Sequence, residues 1–147
     1  MRRSNDFHRT LLVCGVLMFA AFASGCSKNS KVPAVYSTYG EVFVSGKPAA
    51  GATITFVPPA ESQVKWVPSA VVAADGPYEL TTLKPGDGAP IGEYTVVVVW
   101  DKTETRDGDV FLIEPDKLEG RYASLSTSQL KATVKKGTNQ VPRFDLQ

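Results

Sequence analysis

The amino-acid sequence predicts an all-β protein, a seven-stranded antiparallel β-sandwich that follows an N-terminal signal peptide. After its first 25 residues the chain is rich in Val, Thr, Tyr and Pro, and it shows little helical periodicity. Its apolar residues alternate with polar ones or form short blocks, and clusters of Gly, Pro and Asp separate these segments. Many short strands with turns between them are typical of a two-sheet sandwich.

Seven segments of the chain have the apolar pattern of strands. In chain order they are 39–44, 52–57, part of 65–74, 78–80, 92–100, 130–135 and 141–146. The second segment ends at Pro58, because proline cannot donate a hydrogen bond to a strand ladder. Asp75 and Gly76 separate the third segment from the fourth, and an Asp-Gly pair between apolar runs predicts a hairpin turn.

The segment 92–100 has the strongest strand pattern. One of its faces carries Tyr94, Val96, Val98 and Trp100, and the other carries Val97 and Val99. Apolar residues on both faces indicate a central strand that is covered on both sides. The segment that follows, 101–125, is irregular, and we expect a short helical turn near 115–118. Long connections of this kind are often functional.

The front of the chain has the organisation of a secretory signal. Arg2, Arg3 and Arg9 outweigh Asp6 in a basic start, and an uncharged apolar run from Thr10 follows. Small residues then lead to a cysteine, in the sequence Ala23-Ser24-Gly25-Cys26. A basic region, a short apolar region and small residues at the end are the parts of a cleavable signal, here predicted over 1–25. The apolar run is shorter than the roughly 20 residues that a membrane-spanning helix needs.

The Ala-Ser-Gly-Cys sequence resembles the lipobox of bacterial lipoproteins, although the family prefers Leu at the position of Ala23. The resemblance implies cleavage before Cys26 and attachment of lipid to its sulfur. Lipidation with two or more acyl chains anchors a protein stably in a membrane. Residues 26–36 are polar and broken by Pro33, as in a flexible tether, and the folded domain is predicted over 37–147. Ser27 resembles a signal for the outer membrane.

Removal of the signal changes the charge of the chain and removes residues that catalysis or metal binding would need. The signal holds three of the 16 Lys and Arg residues and one of the 15 Asp and Glu residues, so the mature chain has 13 and 14, a net charge of −1. Such a near-neutral chain has no electrostatic footprint for nucleic acid. The only histidine, His8, is removed with the signal, as is Cys14. This excludes a Ser-His-Asp triad and a His- or Cys-based metal site, and we predict no cofactor.

Four blocks of the sequence form a recognisable series in chain order. The blocks are Gly40-x-Val42 with Gly46-Lys47-Pro48-x-x-Gly51-Ala52-x-Ile54-x-Phe56-x-Pro58, then Asp75-Gly76-x-Tyr78-x-Leu80, then Gly88-Ala89-Pro90-x-Gly92-Glu93-Tyr94-x-Val96, and finally Ser128-Gln129-Leu130, Val134-x-x-Gly137-x-Asn139 and Phe144-x-Leu146. Together they resemble carboxypeptidase regulatory-like domains, which have a transthyretin-like (prealbumin-like) sandwich. The last block is similar to the ending of small lipoproteins of planctomycete-type bacteria. The resemblance implies a Greek-key fold and almost no chemistry, because fold does not imply function.

The residues raise three kinds of binding site: one for calcium, one for carbohydrate and one for a protein partner. Acids between Asp101 and Asp116 could offer oxygen ligands to calcium, but the spacing of an EF-hand is absent and basic residues interleave with them, so no metal site is predicted. Trp66 lies near Pro68 outside a clean alternation and is the candidate for an exposed, carbohydrate-binding aromatic residue. An exposed sheet edge could instead receive a protein partner.

We therefore expect a non-enzymatic lipoprotein of the cell envelope, lipid-anchored at the outer membrane or cell surface, with its periplasmic face as the other location. Its partners would be the membrane, through Cys26, and a protein or a glycan. Its role would be binding or structure, with carbohydrate binding through Trp66 as the alternative.

Overall fold

A computed structural model of the protein describes residues 32–147, and this part is all β. No helix occurs in these residues, and so none that is long and apolar enough to cross a membrane. Their strands are β1 (Val35–Tyr36), β2 (Thr38–Val44), β3 (Lys47–Pro48), β4 (Thr53–Val57), β5 (Ser69–Val71), β6 (Pro77–Glu79), β7 (Ala89–Pro90), β8 (Gly92–Val99), β9 (Lys102–Arg106), β10 (Asp109–Ile113), β11 (Lys131–Val134), β12 (Asn139–Gln140) and β13 (Phe144–Leu146).

A four-stranded antiparallel sheet has the order β11-β8-β4-β5. Its strand β8 pairs with β4 from Thr53↔Val99 to Val57↔Thr95 and with β11 on its other side, so the prediction of a central strand is confirmed. Tyr94, Val96 and Val98 are buried on one face of β8. On its other face Thr95, Val97 and Val99 are half-buried and Glu93 is exposed, so the two faces are not covered equally.

A second sheet is built around β2, which pairs with β3 and β6 in antiparallel and with β12 and β13 in parallel. The prediction of a purely antiparallel fold is therefore wrong at these two pairs. The physical reason lies in the connection after β11. The chain leaves the four-stranded sheet there and crosses to the other sheet, instead of turning back on its own strand, so β12 and β13 run in the direction of β2.

The two sheets share one hydrophobic core. Buried side chains from the four-stranded sheet, such as Phe56 and Val96, belong to the same cluster as Val42 and Tyr78 of the second sheet. The ring of Phe56 lies 6.5 Å from that of Tyr78 and 5.6 Å from that of Tyr94, measured between centroids. Two layers, one antiparallel and one mixed, around a single core are consistent with a β-sandwich.

The turn predicted at Asp75 and Gly76 is present, but it does not close a simple hairpin. Gly76 donates to the carbonyl of Ala73 at 3.0 Å, so the chain does reverse there. The strands on either side, β5 and β6, pair with β4 and β2, which belong to different sheets. The turn therefore carries the chain from one layer to the other, and one isolated bridge, Ser69↔Thr81, joins the two arms.

Strand β1 fixes the beginning of the folded part. It pairs with β7, and Tyr36 packs against the core, so the last two residues of the segment 26–36 predicted as a tether belong to the sheet structure. Gly88 allows this pairing. A side chain at Gly88 would collide with the backbone carbonyl of Tyr36, and the φ angle of Gly88, 94°, is one that other residues rarely adopt.

The segment 101–125 differs most from its prediction. Instead of an irregular loop it contains β9 and β10, which form a two-stranded antiparallel sheet of their own. The expected helical turn is a series of hydrogen-bonded turns, with Glu119 donating to the carbonyl of Asp116 and Arg121 to that of Leu118. In β9 the alternating Thr residues are separated by charged residues, so the sequence lacks the apolar alternation that predicts a strand.

Candidate interaction surface

Every residue of the strands in the β9–β10 hairpin is exposed except Ile113, which is half-buried. Its strands pair from Asp109↔Arg106 to Ile113↔Lys102. The two residues between the strands, Asp107 and Gly108, have φ angles of 52° and 92°. Positive φ at both central positions defines a type I′ turn, whose twist suits a tight hairpin.

The two faces of the hairpin differ in chemistry. Because side chains alternate across a strand, one face carries Thr103, Thr105, Val110 and Leu112, and it has no charged residue. Val110 and Leu112 are each 68% exposed. The opposite face carries the alternating charges of β9, together with Phe111, which is 47% exposed.

The charged face contains an ion pair between neighbours on β9. Arg106 donates to a carboxylate oxygen of Glu104 at 2.7 Å. This hydrogen bond lowers the pKa of Glu104 and raises that of Arg106. Both groups are fully exposed, so their attraction is screened by water and contributes little to stability.

The base of the hairpin is held by one buried carboxylate. Asp116, which is 7% exposed, accepts a hydrogen bond from the backbone N–H of Trp100 at 2.9 Å. Its other oxygen accepts from the N–H groups of Leu118 at 3.2 Å and Gly120 at 2.8 Å. Lys117 also donates from its backbone to the carbonyl of Trp100. The residues that leave and re-enter the domain are thus fixed side by side.

Trp100 and Lys117 strengthen the same base through their side chains. The indole N–H of Trp100 donates to the carbonyl of Ala50 at 3.0 Å. The ammonium of Lys117 lies 4.7 Å from the centroid of the Trp100 ring, in the geometry of a cation–π contact. The strand pattern places Trp100 on the same face as the buried Val96 and Val98, but Trp100 is only half-buried and packs against the core.

The hairpin and the N-terminal strand lie at opposite ends of β8. Strand β1 pairs with β7, which ends two residues before β8 begins, whereas β9 starts three residues after β8 ends. A strand rises about 3.3 Å per residue, so the eight residues of β8 separate its ends by about 23 Å. The hairpin therefore lies at the end of β8 that is remote from strand β1.

The sequence-predicted site residues have different outcomes. Cys26 and the signal peptide 1–25 lie outside the described residues. Trp66 lies between β4 and β5 and is half-buried. Its proposed role in binding a carbohydrate stays a prediction. Among residues 32–147 no group of three or more acidic residues is placed to hold a metal ion. Asp116, one of the acids weighed as a calcium ligand, directs its carboxylate at backbone N–H groups.

An open groove of about 340 Å³ crosses the second sheet between β6 and the segment that joins β12 to β13. Its polar lining residues are Tyr39, Glu41, Glu79, Gln140 and Arg143. Trp66 is not among the groove's lining residues, so this groove and the aromatic residue proposed to bind carbohydrate are separate features.

Two tyrosines and one aspartate have altered acidity. Burial raises the pKa of Tyr94 to about 12 and raises that of Tyr78 further above the usual range. The hydroxyl of Tyr94 donates to the carbonyl of Pro90 at 2.7 Å, whereas that of Tyr78 has no hydrogen-bond partner within the described part of the chain. For Asp87, burial alone would raise the pKa, but backbone N–H groups led by that of Thr82 together lower it.

Sequence reasoning missed the apolar stretch of β10, although a signal for it was present. Asp107-Gly108 is the same turn pair that predicts a reversal of the chain at 75–76, and the apolar residues Val110 to Ile113 begin two residues after it. The charges of β9 concealed the matching strand.

Comparison with known proteins adds little to this description. No protein-family model matches the chain, and no curated protein matches its sequence. One solved structure, a 9R-lipoxygenase from Cyanothece PCC8801, is similar to 77% of this chain with a TM-score of 0.42 and 11% sequence identity. The chain spans 16% of the length of that protein. A likeness of this degree says nothing about function.

Proposed function

We propose that this protein is a non-catalytic lipoprotein of the cell envelope, anchored through lipid on Cys26, whose β domain is an interaction module. The observation that carries the proposal is the exposed β9–β10 hairpin at the far end of β8 from the N-terminal strand. An anchored domain with this layout would display an uncharged surface away from its membrane.

The anchor is supported by the order of features at the front of the chain. A basic start, an apolar run and small residues precede Cys26, in the order of a lipoprotein signal. The folded part begins near Pro33, a few residues after that cysteine. A short connection of this kind would hold the domain close to the membrane surface with β1 nearest to it.

The interaction role is supported by the chemistry of the hairpin. A two-stranded hairpin is only marginally stable in water unless other elements cover it. This hairpin has its base fixed by Asp116 but leaves Val110 and Leu112 largely exposed. Contiguous exposed apolar residues on a soluble surface mark sites of interaction. The lack of histidine in the mature chain argues against the common hydrolytic mechanisms.

We also propose that the fold is a seven-stranded transthyretin-like Greek key of the carboxypeptidase regulatory-like kind. The support is the order of the four sequence blocks and the presence of a strand that overlaps each of the seven predicted segments, with β13 in the last one. Two packed layers and a shared core agree with such a sandwich.

The proposal is tested first at the anchor. A Cys26→Ser variant of the full chain should lose metabolic labelling with palmitate and leave the membrane fraction. A Cys14→Ser variant is the matched control, because Cys14 lies within the predicted signal and should have no effect on either readout. Unaltered labelling and fractionation of Cys26→Ser would contradict the anchor.

The interaction role is tested in the native membrane. Replacing Val110 with a photoreactive phenylalanine analogue should give a discrete crosslinked product on irradiation. The same analogue at Leu83, which is exposed on the body of the domain, provides the control. If both positions give the same weak, diffuse products, the hairpin is not an interaction surface.

A further inference from the structure

We infer that the partner of the hairpin is a second copy of this chain, joined through the free edge of β10. This inference rests on the proposed function, because tethering to one membrane raises the effective concentration of the copies. The result would be a four-stranded antiparallel sheet, β9-β10-β10-β9, that spans two domains.

The backbone of β10 has an open edge. Within the described residues β10 pairs with β9 alone. Arg106 and Asp109 are the first and fourth residues of the turn, so they form a hydrogen-bonded pair. Hydrogen-bonded and non-hydrogen-bonded pairs alternate along an antiparallel ladder. The N–H and C=O groups of Val110 and Leu112 therefore point away from β9, toward the open edge.

This edge has none of the devices that usually block pairing. Edge strands are commonly protected by lysine, proline, a bulge or an inward-pointing charge. From Val110 to Ile113 β10 has four consecutive apolar residues, and its only charge is Asp109 at one end. Strand β9, in contrast, has a charged residue at every second position.

The sequence of β10 is compatible with itself in the antiparallel direction. With a two-fold axis at Phe111, each Val110 lies opposite Leu112 of the second copy, and each Asp109 lies opposite Ile113. The two Val110–Leu112 pairs are the hydrogen-bonded ones, because their backbone groups already point outward. The two Phe111 residues form the central non-hydrogen-bonded pair, in which side chains are closest. No like charges face each other.

The other edge of the hairpin does not offer the same match. Fully overlapped self-pairing of β9 would have its axis at Glu104. That register places the two Glu104 carboxylates opposite each other and Lys102 opposite Arg106. Like charges directly opposite destabilise a strand pair. Charge pattern therefore selects β10 for self-association, and the uncharged face of each hairpin, with Thr103, Thr105, Val110 and Leu112, becomes continuous across the pair.

A five-residue strand pair is small compared with the interfaces of stable dimers, which bury about 1,200–2,000 Å². We therefore expect the pair to form efficiently only where copies share a membrane. Short tethers can raise effective concentrations into the millimolar range. The association should thus depend on the lipid anchor at Cys26.

Disulfide trapping in native membranes tests the inference. The full chain carries Phe111→Cys with Cys26 intact, and a mild oxidant is added before solubilisation. We expect a disulfide-linked product of twice the monomer mass, at least fivefold more abundant than with Thr105→Cys, which is the exposed control on β9. Equal yields at the two positions, no product, or a product with a different mass would overturn self-pairing.

Two proline variants separate edge pairing from damage to the hairpin. Proline at 110 or at 105 removes an outward-pointing N–H, so neither breaks a hydrogen bond between β9 and β10. In the Phe111→Cys background, Val110→Pro should abolish the dimer and Thr105→Pro should preserve it. Equal yields from both would contradict pairing through β10.

Fractionation of the same samples separates this inference from the proposed function. Lipidated, membrane-bound protein without the dimer would overturn self-pairing and leave the anchor standing. Protein that is neither lipidated nor membrane-bound would contradict the proposed function itself. A Cys26→Ser, Phe111→Cys chain that is released from the membrane should give at least fivefold less dimer than the anchored chain.

Discussion

Replacement of Asp116 by alanine should loosen the base of the β9–β10 hairpin and destabilise the whole domain. The substitution removes the acceptor of three backbone N–H groups, those of Trp100, Leu118 and Gly120. A buried donor left without a partner costs about 1–3 kcal/mol. We assign about 2 kcal/mol to buried Leu118 and about 1 kcal/mol to each of the other two, which water can reach. The expected loss is about 4 kcal/mol.

A loss of that size is a large part of the 5–15 kcal/mol by which domains are usually stable. Urea unfolding of the mature protein in mild detergent, followed by tryptophan fluorescence, measures it. Trp100 reports directly on the hairpin base, since its indole bonds to Ala50 and contacts Lys117. Asp116→Asn keeps one carbonyl oxygen and should lose only about 1–2 kcal/mol.

The control is Asp101→Ala, which removes an exposed carboxylate one residue after Trp100. Surface substitutions of this kind usually change stability by less than about 0.5 kcal/mol. If Asp116→Ala and Asp101→Ala gave the same free energy of unfolding, the carboxylate would not be holding the hairpin base. An unaltered fluorescence maximum in Asp116→Ala would contradict the same reasoning.

Four further outcomes are expected. In urea unfolding, Tyr78→Phe should leave the free energy of unfolding unchanged or raise it, because it removes a buried hydroxyl that has no hydrogen-bond partner among the described residues. Tyr94→Phe should lower that free energy by about 1 kcal/mol, because the hydrogen bond to the carbonyl of Pro90 is lost. The opposite ranking of the two variants would contradict this. Burial raises the pKa of Tyr94 to about 12 and raises that of Tyr78 further, so neither phenol should ionise near pH 10 in a spectrophotometric titration of the folded protein. The stability that comes from burying the two neutral phenols should be complete below about pH 10 and should be lost as the pH rises above that value. The pKa of Asp87 is lowered on folding, so its contribution to the stability of the domain is present above about pH 4 and is lost as the pH falls further. Asp87→Asn should therefore make stability depend less on pH in that acidic range. An acid unfolding profile identical to that of the unmodified protein would refute the contribution of Asp87. Glycan binding by Trp66 would change tryptophan fluorescence on titration with a glycan panel, and Trp66→Ala should abolish the change; no change in the unmodified protein would refute that alternative.

The strands of the core could be predicted because their chemistry is simple. In segment 92–100, large apolar residues alternate, and the resulting strand β8 ends within one residue of its predicted boundary. Segment 52–57 behaves in the same way as β4. Burial of one face dictates such patterns, so the sequence alone reveals them.

Sheet membership and direction could not be predicted in the same way. The pattern at Asp75-Gly76 specifies a reversal of the chain, but packing decides whether the next strand joins the same layer. The parallel pairing of β2 with β13 depends on residues about a hundred positions apart, and no local signal reports it. The β9–β10 hairpin was missed for a different reason. Its strands are not buried on one face, so their sequences lack the alternation of apolar and polar residues by which strands are recognised.

The pairing of β2 with β12 and β13 also has a consequence for how the protein folds. Strand β2 can pair with β12 and β13 only after the chain has closed a loop of about a hundred residues. Closing so long a loop makes folding slow. If the chain is exported from its N-terminus onward, β2 would cross the membrane well before those partners do. Its sheet could then be completed only on the far side, after residue 146 has crossed, so the domain would fold after translocation and not during it.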